Sequence, residues 1–128
     1  MEFLTLDTFK EKVCDCGIGG EGQAEWKFKG SKPAVIDFYA DWCGPCKMVV
    51  PILEDLSKEY EGKVDIYKIN TEEQQELAGM FGISSIPSIL FIPVDAQPQM
   101  SAGALPKSVF KQMFKDIFGI EEVTAAKV

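Results

Sequence analysis

Cys43-Gly44-Pro45-Cys46 is the stretch of this sequence best equipped for chemistry. Thiols three positions apart on a helical turn can close a disulfide, and a thiolate is the species that attacks one. Before them, Pro33-Ala34-Val35-Ile36-Asp37-Phe38-Tyr39 is rich in β-branched and aromatic residues and predicts a buried strand. After them, Val49, Ile52, Leu53, Leu56 and Tyr60 fall at helical spacing. The pair therefore lies where a strand turns into a helix, and Gly44 and Pro45 suit the turn and first helical positions. Cys43 is expected to be exposed at the helix start, where unpaired N–H groups and the positive end of the dipole favour its thiolate. Cys46 lies one turn further in. The chemistry this arrangement suits is thiol–disulfide exchange, with Cys43 as nucleophile and Cys46 as the resolving thiol.

Other residues stand out by type and setting. Asp37 is a carboxyl inside an apolar strand, which costs free energy unless it is paired or protonated. Lys68, in the strand-like segment Lys63-Val64-Asp65-Ile66-Tyr67-Lys68-Ile69-Asn70, is its natural counter-charge. A purely structural ion pair is the competing reading. Trp42, between polar Asp41 and a reactive thiol, is expected on the surface around the thiols rather than in the core. Cys14 and Cys16 read most simply as two free thiols in a loop. A strained oxidising disulfide, a thiolate pair for a metal and an electron relay to Cys43 (a second redox pair) stay open. A zinc site made of all four cysteines would abolish the redox role.

The motif and its surroundings resemble the thioredoxin family. Trp42-Cys43-Gly44-Pro45-Cys46-Lys47 is similar to its active-site motif, and Val35 to Asp41 to the strand that enters it. Pro51-Ile52-Leu53 resembles the kink in the active-site helix, Ile83-Ser84-Ser85-Ile86-Pro87-Ser88 the loop with the family's cis-proline, and Gly103-Ala104-Leu105 its last strand and turn. The resemblance runs in order over residues 33 to 118. It implies an α/β architecture of the thioredoxin fold, a central five-stranded mixed β-sheet flanked by four α-helices. It implies a protein-disulfide reductase that cycles Cys43/Cys46. Asp37 would move a proton, through water, as Cys46 becomes a thiolate, with Lys68 beside it.

The resemblance also implies a cis bond before Pro87, which would leave the Ile86 backbone free to pair with an extended substrate. Trp42, Gly44, Pro45, Gly103 and Ala104 would complete a flat apolar rim around Cys43. Implied partners are protein disulfides and a flavin-dependent thioredoxin reductase as electron donor, with no cofactor in the chain itself. Oxidase and isomerase relatives from exported settings commonly carry a histidine between the cysteines, so Gly44-Pro45 argues for the reducing end. A binding module with idle cysteines is the alternative from another class, and the complete set of site residues counts against it.

At 128 residues with 46% apolar content, the chain reads as a single globular domain spanning 1–128. A net charge of −7 without a basic stripe argues against nucleic acid and anionic membranes as partners. The absence of histidine excludes Cys-His proteases and His-ligated metal sites. The acidic start, Met1-Glu2-Phe3, is unlike a signal peptide, so a cytoplasmic monomer is expected, or a periplasmic one if a leader has been removed. Leu6, Phe9 and Val13 predict a first helix after a short strand. The glycine-rich run from Cys14 to Gln23 departs from the family, and residues 14–30 read as a loop insertion that Trp26 and Phe28 fold back onto the body. Thr71-Glu72-Glu73-Gln74 fits a capping box opening a helix through Phe81. Pro87 to Pro93 predicts a strand, and Pro98 demotes Gln97–Gly103 to a sheet edge. Pro106 opens a last helix with Val109, Phe110, Met113, Phe114, Ile117 and Phe118 inward; residues 120–128 form a loose tail.

Overall fold

The structure, a computed structural model, describes residues 1–14 and 27–120. In chain order its elements are β1 (Glu2–Phe3), α1 (Leu6–Lys12), β2 (Ala34–Tyr39), α2 (Gly44–Glu59), β3 (Asp65–Asn70), α3 (Gln75–Met80), β4 (Ser88–Ile92), β5 (Gln99–Ala102) and α4 (Lys107–Met113). The strands form one sheet in the order β1-β3-β2-β4-β5. β1 and β2 pair parallel with β3, whereas β4 runs antiparallel to β2 and β5 antiparallel to β4. This is the mixed five-stranded sheet with four helices that was expected, with β5 as the predicted edge.

β2 is central, and every one of its residues is buried. A strand covered on both faces needs apolar side chains at successive positions, which Ala34-Val35-Ile36 and Phe38-Tyr39 supply. Alternation then sorts them. Val35, Ile66, Ile89 and Phe91 share a core with Val49, Leu53 and Leu56 of α2 and Phe110 of α4. Ile36, Phe38, Ile69, Leu90 and Ile92 build a second core with Phe9 of α1 and Leu77 of α3 on the other face. Asp37 has the parity of Val35 and Tyr39, so it points to the α2 side. No helix among the described residues is long and apolar enough to cross a membrane.

α1 starts at a reciprocal cap, the Thr5 hydroxyl accepting the Thr8 N–H and the Thr8 hydroxyl accepting the Thr5 N–H. Where the described residues resume, the Lys29 N–H donates to the Val13 carbonyl at 2.7 Å and Phe28 packs on the α1-side core. Trp26 and the Asp15–Gln23 run lie outside the described residues, as does the tail from 121. After α4 the chain continues as a π-helical turn, Phe114–Phe118, closed by Gly119 at φ 72°. Phe114 meets Tyr60 edge-on at 4.9 Å and also contacts Phe91, Phe110 and Phe118. On the flank of α4, Lys107 and Lys111 both pair with Glu59 at the end of α2.

Two expectations are corrected. The capping box at Thr71 does not form, because Thr71 and Asn70 have other uses. The Thr71 hydroxyl donates to the Tyr39 carbonyl at 3.1 Å, and Asn70 Oδ1 accepts the N–H groups of Glu72 and Glu73. A turn results, and α3 begins only at Gln75, without a side-chain cap. Val109 is not part of the inward stripe of α4; it is exposed, while Phe110 and Phe114 carry the burial.

Candidate active site

β2 ends at Tyr39, and the chain reverses so that the Cys43 N–H donates to the Ala40 carbonyl at 3.2 Å. Cys43 is the N-cap of α2, and Gly44 and Pro45 fill its first two positions. Proline is cheap there, since a first-turn N–H has no acceptor within its helix. Cys43 Sγ accepts the Cys46 N–H at 3.2 Å and is joined to Cys46 in a disulfide with the Cα atoms 5.3 Å apart. The sequence pattern thus places both sulfurs where expected, at the helix start and one turn in.

The expected exposure of Cys43 is corrected. It is only 3% exposed and Cys46 1%. In the disulfide the Cys43 sulfur turns inward towards Cys46 and packs with Tyr39, Ala40 and Ile86. It lies 3.8 Å from the Ile86 carbonyl oxygen.

Two further loops meet at this point. The Ile86–Pro87 peptide is cis, as the resemblance implied. The Pro87 carbonyl accepts the Gly103 N–H at 2.8 Å, which fastens the turn after β5 beside that loop. Gly103 has φ 97°, a conformation that a side chain would strain. Trp42, Gly44, Pro45 and Ala104 are exposed around the buried sulfurs, with Ile86 and Gly103 half-buried between them. Trp42 is 68% exposed, so the surface reading of it holds. Its indole N–H donates to the Glu72 carboxylate. Beside Trp42 and Ile86 opens a groove of about 370 Å³, walled on its far side by Thr71, Gln75, Ala78 and Ile83. Glu72, Thr71, Gln75 and Ala78 were not singled out as site residues from sequence, because they belong to the stretch read as a capping box and the helix after it, whereas Ile83 opens the cis-proline loop already noted.

Asp37 is fully buried, and neither carboxylate oxygen has a hydrogen-bond partner among the described residues. Desolvation raises its pKa from 3.8 to about 7, against the opposing pull of the Lys68 charge. Lys68 is its register partner on β3, as its candidacy required, but no salt bridge closes between them. The Lys68 ammonium instead lies over the Phe3 and Tyr39 rings. Burial also raises the Tyr39 phenol, against its hydrogen bond with Asn70, with Asp41 and Glu73 adding to the rise.

Cys14 contradicts the reading of a free thiol in a loop. It is buried in the α1-side core, on the opposite face of the sheet from Asp37, and carries no free thiol. Its apolar neighbours Phe9 and Val13 draw it in, and its N–H donates to the Phe9 carbonyl at 3.0 Å. Cys16 lies outside the described residues. Among the described residues no cluster of three or more cysteine and carboxylate side chains is arranged to hold a metal.

The thioredoxin family model matches residues 23–116. The chain is 48% identical over 116 residues to the thioredoxin of Borreliella burgdorferi, covering 91% of this chain and 96% of that one. This chain belongs to the thioredoxin family. It is also 43% identical to the thioredoxin of Synechocystis sp., over 79% of this chain and 81% of that one. Among solved structures, chloroplastic thioredoxin z superposes with a TM-score of 0.72 at 26% identity, covering 91% of this chain and 93% of that one. With Cys43 and Cys46 in disulfide contact, membership of the thioredoxin family makes the chain a thiol–disulfide oxidoreductase, a protein-disulfide reductase.

Proposed function

We propose that Cys43 and Cys46 carry the reductase cycle, that Asp37 accepts the proton of Cys46, and that electrons come from a flavin-dependent thioredoxin reductase. One observation carries the reading: the Cys43–Cys46 disulfide caps α2 on the face of the sheet where a buried carboxyl has no hydrogen-bond partner among the described residues. In the reduced protein the Cys46 N–H and the other first-turn amides favour a thiolate at Cys43. That thiolate attacks one sulfur of a substrate disulfide. The substrate S–S bond breaks, its second sulfur leaves as a thiolate, and a mixed disulfide forms. Cys46 then loses its proton, through water, to the Asp37 carboxylate, and its own thiolate attacks Cys43 Sγ. The substrate leaves with two thiols, and the enzyme carries the disulfide and the loss of two electrons.

Asp37 suits this step because a group titrating near 7 takes and releases protons at neutral pH. Extended substrate backbone pairs with Ile86 beside Pro87, and Trp42, Gly44, Pro45, Gly103 and Ala104 supply the apolar rim. Lys68 tunes Asp37 from β3. The substrates are protein disulfides, met by a monomer in a cytoplasmic, reducing compartment.

Trapping tests the roles. Cys46→Ser, mixed with oxidised insulin, should accumulate a dithiothreitol-sensitive adduct through Cys43, and Cys43→Ser should accumulate none. Adducts formed through Cys46 instead would reverse the assignment. Wild-type protein should sustain NADPH consumption with thioredoxin reductase and insulin; no turnover would overturn the proposed electron donor.

A further inference from the structure

Lys68 lies on β3 between two strands, and the parallel register gives it one neighbour on each side, Phe3 of β1 and Asp37 of β2. Side chains in register on parallel strands share a face, so the ammonium has a choice between a ring and a carboxyl. It takes the ring. Lys68 Nζ lies 4.6 Å from the centre of the Phe3 ring and 5.0 Å from that of Tyr39, and the two rings are 6.3 Å apart. Both distances are within reach of cation–π attraction.

The preference has a solvation cause. Asp37 is fully buried, whereas Phe3 is 58% exposed and Lys68 half-buried. Bringing the ammonium to the carboxyl would strip its water, while over the rings it keeps water on one side. A lysine stem is flexible, so nothing in its own covalent geometry prevents the move.

We propose that Phe3, together with Tyr39, is a positioning residue: the two rings hold the Lys68 ammonium off Asp37 and so set how readily that carboxyl exchanges its proton with Cys46. The proposal rests on the proton-transfer role given to Asp37 above. The groups around Asp37 are few. β3 contributes Lys68, α2, which carries Cys46, packs on the same face of the sheet, and its own strand contributes Tyr39, on which Asp41 and Glu73 act. β4 places Ile89 opposite it, and the lysines of α4 are engaged with Glu59 at the far end of α2. Lys68 is therefore the cation whose position matters. Its charge already lowers the Asp37 pKa against desolvation, and a closer ammonium would lower it further.

The test is a carbon-13 NMR titration of the Asp37 carboxyl in reduced full-length protein. Phe3→Leu should lower its midpoint by about one unit, the low end of the roughly 1–3 units an adjacent opposite charge produces. Phe3→Tyr keeps a ring and should leave the midpoint where it is. In a Lys68→Met background, Phe3→Leu should move nothing. Because Phe3 is exposed, Phe3→Leu should keep the fold, and the amide spectrum verifies this. A midpoint that stays put in Phe3→Leu, or moves equally without Lys68, overturns the clamp. The pH profile of mixed-disulfide resolution, read alongside, should shift to lower pH in Phe3→Leu. A profile unchanged by Asp37→Asn would instead fail the proton-transfer role, an outcome distinct from a fixed NMR midpoint.

Discussion

Replacing Asp37 by asparagine should stabilise the oxidised protein at alkaline pH far more than at acid pH. The native carboxyl titrates near 7, raised first by desolvation and pulled back only in part by Lys68; in the unfolded chain it returns to its ordinary 3.8. Between those two values the native state holds a proton that the unfolded chain has released. Unfolding in that window binds fewer protons, so each rise in pH favours the unfolded state. The contribution of the protonated carboxyl is complete below about 3.8, is lost as pH rises towards 7, and changes no further above it. A shift of about three units at ~1.36 kcal/mol per unit amounts to about 4 kcal/mol. Domains of this size are stable by only ~5–15 kcal/mol, so the effect is large.

Asparagine cannot ionise and lacks this dependence. It remains a buried polar group without a partner, a cost of about 1–3 kcal/mol that does not vary with pH. The assay is urea unfolding of oxidised wild type and Asp37→Asn across roughly pH 4 to 9. The stability difference should move in favour of asparagine by about 4 kcal/mol over that range. A difference that stays constant would refute the reasoning, since it would mean a carboxyl with the same titration folded and unfolded.

Two other perturbations separate packing from charge. Phe114→Ala removes the ring at the centre of the aromatic cluster with Tyr60, Phe91 and Phe118, and should cost about 3–5 kcal/mol in urea unfolding, with the thiol chemistry intact in the folded fraction. Glu59→Gln removes a carboxylate held below its ordinary pKa by its hydrogen bond with Lys107, which outweighs desolvation, and by Lys111. A depressed carboxylate stabilises above its unfolded pKa and stops doing so as pH falls through the folded one, so this variant should lose at most about 1 kcal/mol at neutral pH and nothing in strong acid.

What the sequence made legible follows from where each signal is stored. The Cys43-Gly44-Pro45-Cys46 stretch, the apolar run of β2 and the proline before β5 are local patterns, and the structure realises all three as elements or turns. Capping residues at Thr71 are local too, yet they misled. The Thr71 hydroxyl satisfies the Tyr39 carbonyl, which only the folded chain brings near, while Asn70 draws the Glu72 and Glu73 N–H groups into a turn, and these contacts outcompete a helix start. Periodicity marks Val109 as part of an apolar stripe but cannot say how far the neighbouring helix extends to cover it. A helix N-terminus locates the backbone of Cys43, whereas the direction of its sulfur depends on closing the bond to Cys46. Cys14 reads as loop because glycines follow it, and it is buried because Phe9 and Val13 precede it.

Lys68 is the most instructive of these residues. Sequence identifies it as the cation nearest in kind to Asp37, and register places it alongside, but opposite charges in register did not pair. A closed ion pair would hold Asp37 ionised and thereby remove its ability to trade a proton near neutral pH. Leaving the pair open has a cost, the roughly 4 kcal/mol by which the native state is disfavoured when the buried carboxyl ionises. At Glu59, on the last turn of α2, the carboxylate is instead matched by two lysines. The contrast between a carboxylate ion-paired with two lysines at the helix end and a buried one without an ion pair on the α2 side of the sheet is what the proposed cycle requires. Phe3 gives that contrast a structural cause, because a ring on the neighbouring strand competes for Lys68, the cation in register with that carboxyl.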